Sequence, residues 1–115
     1  MAMKSLEPGS VDGMVAELMF EPCAGMAARV LLFNGAMKPE EVAASAIGVM
    51  RGYGINHSLY EAGLGIDYLR AKGLVSEESD NLLLNPAGVA VAKNLWGVYL
   101  AVTGREPHPS YRSNI

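Results

Sequence analysis

Three prolines constrain this chain more than any other feature. Pro22, Pro39 and Pro86 each stand just ahead of an apolar run. Proline has no amide hydrogen, so it is comfortable at the first position of a helix but breaks the ladder of a helix already under way. A helix capped by Ser10, with Asp12 favourable at its positive end, therefore has to stop near Phe20. A second helix, "PCAGMAARVLLFN", starts at Pro22 and stops near Asn34-Gly35, so the two make a kinked pair. Pro39, followed by Glu40 and Glu41, opens a third helix to about Arg51, which should bury Val42, Ala43, Ala46, Ile47 and Met50.

After the turn "GYGIN" comes Ser58-Leu59-Tyr60-Glu61, an S-x-x-E capping box in which serine and glutamate satisfy each other's free backbone donors. A fourth helix begins there and ends at Gly73, the usual left-handed terminal position. "LVS" and "LLL" read as two short strands joined by the polar turn "EESDN". Asn85-Pro86 then caps and starts a last helix, through "AGVAVAKNLWGVYLAV" to Gly104. Residues 1–9 read as a flexible leader, 10–104 as a single domain, and 105–115 as a flexible tail without periodicity.

In order and punctuation, residues 39–88 resemble the winged helix-turn-helix family: a proline-started helix, a short turn, a capped helix ending in "YLRAKGLV", then a hairpin. The resemblance implies a mainly α fold, winged-helix-like, with a kinked N-terminal helix pair, a helix-turn-helix, a short β-hairpin wing and a long C-terminal helix. It also implies that the second helix of the motif reads DNA while the wing touches phosphate, although members of the family also serve as protein-binding modules.

The residues depart from a DNA reader in two ways. The wing carries Glu77, Glu78 and Asp80, where a basic tip would meet phosphate, and the chain as a whole is acidic, with nine Lys and Arg against twelve Asp and Glu. The expected reading helix also offers few groups suited to base edges. At 100° per residue its core-facing arc holds Leu59, Ala62, Ile66 and Leu69, and its opposite arc carries Tyr60, Leu64 and Tyr68. Edged by Glu61, Asp67 and Lys72, that stripe has the make-up of a protein-binding ridge. Buried by the amino-terminal helices, it would instead be core. Gly63 and Gly65 each cost the helix about 1 kcal/mol relative to alanine, so both are expected to permit close approach of a neighbour.

The last helix is apolar over about 200°, twice the stripe one core contact needs. Val89, Leu95, Trp96, Tyr99 and Leu100 are therefore expected to form a homodimer surface, unless the helix is central to its own fold. All seven methionines lie within the first 50 residues, where they suit irregular core filling or a pliable interface.

Chemistry is sparse. Cys23 is the single cysteine and reads as a small buried hydrophobe, which leaves an intrachain disulfide impossible. His57 and His108 are far apart, so neither a zinc cluster nor a nucleophile-base pair is expected. "GYGIN" and "GLGID" do not complete a nucleotide-binding fingerprint. No enzyme activity, cofactor or metal is expected. The start lacks a signal-peptide h-region and no apolar run is long enough to span a membrane, so the expected location is cytoplasmic. The expected function is regulation or inhibition by docking on another protein. The alternative is a homodimeric DNA-binding regulator whose phosphate contacts come from Arg29, Lys38, Arg51, Arg70 and Lys72, with Arg105 and Arg112 of the tail.

Overall fold

The computed structural model describes residues 10–103, with 99–103 as backbone alone. Five helices and one hairpin follow in order: α1 (Val11–Met19), α2 (Pro22–Asn34), α3 (Pro39–Gly52), α4 (Leu59–Ala71), β1 (Val75–Glu78), β2 (Asn81–Leu84) and α5 (Pro86–Thr103). The expected leader and tail, 1–9 and 105–115, lie outside the described residues.

The local signals act as their chemistry requires. The Ser10 hydroxyl accepts from the Gly13 amide at 3.0 Å and caps α1. Pro22 and Pro39 open α2 and α3, and the Glu41 carboxylate accepts from the Lys38 amide at 3.3 Å. Both halves of the capping box on α4 are made: Ser58 Oγ accepts from the Glu61 amide at 3.1 Å, and Glu61 Oε1 accepts from the Ser58 amide at 2.7 Å. Gly73, with φ of 70°, turns the chain out of α4.

The hairpin is tighter than its sequence suggests. Val75 pairs with Leu84 and Glu78 with Asn81, antiparallel, which leaves only Ser79-Asp80 as the turn. Both turn residues have positive φ, 52° and 67°, the geometry of the primed turns that match strand twist. Glu77 and Glu78 accordingly lie in a strand, not in the expected five-residue turn. Met37, between α2 and α3, adds an antiparallel bridge to Leu82 through reciprocal amide-carbonyl bonds of 3.0 and 2.7 Å.

The core gathers on α2, which packs against α1, α3, α4, α5 and β2. Leu18, Val30, Val42, Met50, Leu69 and Leu82 are its largest fully buried side chains. The five residues expected to be buried on α3 are buried. Met14, Met26 and Met50 fill this interior, whereas Met19 is exposed beside Phe20, 84% exposed at the corner between α1 and α2. α5 lies across α1 and α2 with Val91, Ala92 and Leu95 inward. Asn85 locks its start: its Oδ1 accepts from the Gly88 amide at 2.8 Å and its Nδ2 donates to the Gly73 carbonyl at 2.7 Å. Gly88 has to be glycine, since a Cβ there would stand 2.0 Å from the Leu74 carbonyl oxygen. Among the described residues no helix is long and apolar enough to cross a membrane.

Candidate functional site

α4 presents three different sides, because its neighbours cover only part of its circumference. Toward α2 it is closely packed. A Cβ at Gly65 would stand 2.7 Å from the Ala24 nitrogen and from the Cys23 carbonyl carbon, so the glycine is what allows the two backbones to approach. Gly63 is different: among the described residues nothing lies within 4 Å of where its Cβ would be, so none of them makes the close approach expected there.

Away from α2, the helix turns large apolar side chains to water. Tyr60 is 75% exposed and Leu64 49% exposed, as the helical spacing requires of residues opposite the core arc. Leu59 corrects the expectation, being 64% exposed instead of core. A groove of about 490 Å³ opens there between α3 and α4, lined by Leu59, Gly63 and Ile66 of α4 and by Pro39, Ala43 and Ala44 of α3. Ile55, in the turn before α4, adds to the exposed apolar surface.

Tyr68, the third member of the expected stripe, faces elsewhere. It is half-buried against α1, where its hydroxyl donates to Glu17 Oε1 at 2.5 Å and the Lys72 ammonium lies 2.9 Å from the same oxygen. Tyr68 and Lys72 both hold the Glu17 carboxyl below its usual range, the tyrosine contributing more. Burial first, and then the adjacent Glu17, push the Tyr68 phenol up to about 12. The trio ties α1 to α4, so Tyr68 and Lys72 serve the fold at this position.

Of the seven cations expected to meet phosphate, three, Arg29, Arg70 and Lys72, are engaged within the fold. Arg70 donates to Asp67 and to Glu77, each at 2.9 Å, which joins α4 to the hairpin. Arg29 is 8% exposed, its guanidinium 5.4 Å from the Trp96 ring centroid. That burial removes Arg29 from any phosphate surface. Lys38 and Arg51 are exposed, on the approach to α3 and at its end, whereas Arg105 and Arg112 lie outside the described residues.

The expected dimer residues divide in the same way. Leu95 is 3% exposed, with its Cδ2 3.3 Å from where a Cβ at Gly25 would be, so it belongs to the chain's own core. Trp96 stands edge-on to Phe33 at 5.1 Å, half-buried, and Val89 is half-buried too. The side chains of Tyr99 and Leu100 lie outside the described residues.

One grouping was not legible in the sequence. Cys23, His57, Glu61 and Tyr68 line a hollow of about 240 Å³ between α2 and α4, with His57 Nδ1 3.4 Å from Glu61 Oε1. Burial, and then Glu61 and Glu21, push the Cys23 thiol up, which keeps it protonated and poor as a nucleophile. Glu61 is itself held below its usual range, chiefly by the Ser58 amide of the capping box. His57 and Glu61 are an i,i+4 pair, and Cys23 joins them because Gly65 lets α2 reach α4, an approach that no local spacing announces. No family model, curated protein or solved structure is detectably similar to this chain.

Proposed function

We propose that this chain is a non-enzymatic regulatory or inhibitory protein that docks on another protein through the outer side of α4, on a domain of winged-helix type. The observation that carries the reading is the exposure of Leu59, Tyr60 and Leu64 on the helix that, in a DNA reader, would face base edges. Exposed aromatic and aliphatic side chains so close together suit the desolvated centre of a protein interface, where tyrosine anchors are common. The internal pairing of Arg70 and Lys72 supports the same reading, since phosphate would have to compete with carboxylates already in place.

The winged-helix assignment draws on the sequence of helix, turn, helix and hairpin after α2, and on the Met37–Leu82 bridge, which supplies the hairpin with a third extended segment. A second copy pairing through α5 would have to leave out Val91, Ala92 and Leu95, which are occupied by the chain's own core.

The test is capture of a partner from an extract of the source cells, with and without nuclease, using the wild type, Tyr60→Ala and Leu64→Ala. Docking predicts nuclease-resistant capture that both variants lose while their circular dichroism stays unchanged. Nanomolar, sequence-selective binding to duplex DNA would overturn it.

A further inference from the structure

We infer that Asn34 is a site of self-modification, where the backbone nitrogen of Gly35 converts the side-chain amide into a carboxylate and the last turn of α2 sets the rate. The inference is independent of the docking reading. It starts from the one Asn-Gly step in the chain, and the fold accounts for that step. α2 leaves through Gly35 at φ 78° and ψ −155°, a backbone region that essentially only glycine enters, so the exit imposes glycine after Asn34. Asn34 ends the helix half-buried and Gly35 is exposed, which gives water access to both.

The chemistry is self-contained. The Gly35 nitrogen gives up its proton and attacks Asn34 Cγ; the new N–Cγ bond forms, the Cγ–Nδ2 bond breaks, and ammonia leaves with the proton returned to it. The cyclic imide that remains takes up one water at either carbonyl. One opening gives aspartate, and the other gives isoaspartate, whose backbone runs through the side chain. Glycine favours ring closure because no Cβ crowds the attacking nitrogen. The other asparagines precede His57, Leu82, Pro86, Leu95 and Ile115, where a side chain crowds the nitrogen or, at Pro86, no amide proton is present to lose.

The folded helix restrains both reacting groups. The Gly35 amide donates to the Leu31 carbonyl at 2.9 Å, and Asn34 Nδ2 donates to the Val30 carbonyl at 2.9 Å. Ring closure has to open both bonds, so it proceeds from the frayed end of α2. The product then favours fraying. A carboxylate has no hydrogen to give the Val30 carbonyl, and it places negative charge at the negative end of the helix. The change falls just ahead of Met37, whose pairing with Leu82 ties this connection to the hairpin.

The experiment incubates the full chain at physiological temperature and mildly alkaline pH, folded and in urea, and follows each asparagine by peptide mass spectrometry, with synthetic aspartate and isoaspartate peptides as standards. In urea Asn34 should convert before any other asparagine. In the folded chain it should again convert first, about ten-fold or more slowly, at a rate that follows the opening of the Gly35 amide measured by hydrogen exchange. Asn34→Gln, which keeps the amide but needs a larger ring, should stay unconverted over the same period. Asn34→Asp, one of the two products, should show a lower urea midpoint and faster exchange at Gly35. A different asparagine converting first, or a folded chain that never converts, would overturn the site. Equal rates in the folded and unfolded chains, or an Asn34→Asp chain with the midpoint and exchange of wild type, would overturn the part assigned to the end of α2.

Discussion

In α5 the apolar residues of the first turns are taken up by the chain itself, with Val91, Ala92 and Leu95 buried across α1 and α2, whereas α4 leaves Leu59, Tyr60 and Leu64 facing water. The two helices differ in their neighbours more than in their composition. α5 rests in the angle between two helices, so a wide apolar arc finds cover. α4 has α2 on one side and the small residues of α3 on another, and no element of the described chain lies over its third side. A broad apolar surface on a helix thus signals two different things, and only the count of covering elements separates them.

Substitutions can break that contrast. The largest effect is expected at Leu95: truncation to alanine should cost about 3 to 4 kcal/mol, the middle of the range for buried leucine, measured by urea denaturation. A cost under about 1 kcal/mol would mean that α5 is not anchored where it lies. Next come the two glycines of α4, which should respond with opposite signs. Gly65→Ala forces a methyl against the α2 backbone and should destabilise by about 1 to 3 kcal/mol, and Gly63→Ala, with open space, should stabilise by about 0.5 to 1 kcal/mol. Equal signs would erase the distinction between the packed and open sides of α4.

A smaller effect is expected from the tie between α1 and α4, and it depends on pH. The Glu17 carboxyl is depressed in the folded chain, so its contribution is present above the ordinary carboxylate value of 4.5 and fades as the pH falls through the lower folded value. The Tyr68 phenol is raised from 10.0 to about 12, so its contribution is complete below 10 and fades between 10 and 12. Tyr68→Phe should therefore flatten the alkaline loss of the urea midpoint and reduce the acid loss. Identical pH profiles for the two proteins would exclude the tie as a source of stability. The smallest effect on folding is expected at Tyr60. Alanine there should alter stability by no more than about 0.5 kcal/mol while costing partner binding about 2 kcal/mol or more. A large folding loss would show that Tyr60 is covered in solution.

Much of the architecture was legible because its signals act within a few residues. Pro22, Pro39, Ser58, Gly73 and Asn85 set element ends where their backbone chemistry demands, and the buried face of α3 followed from its periodicity. The hairpin turn was misread because Ser79-Asp80 lacks the glycine that usually marks a primed turn, although aspartate tolerates the left-handed region. On α4, Tyr60 and Leu64 lay where helical geometry put them, and Leu59 and Tyr68 did not behave as their angles suggested. Leu59 depends on which elements cover the start of α4, and Tyr68 on a carboxylate 51 residues earlier in the chain.

The sequence by itself determined where each helix begins and breaks, which face of α3 turns inward, and that one helix would carry Tyr60 and Leu64 together, because caps, prolines and helical periodicity operate through the local backbone. Tertiary structure decided which apolar surface stays uncovered, which glycine is filled by a neighbour, and which cations are already paired. Those outcomes depend on the distance between elements brought together from far apart in the chain: Glu17 reaching Tyr68 and Lys72, α2 pressing on Gly65, and α3 standing back from Gly63.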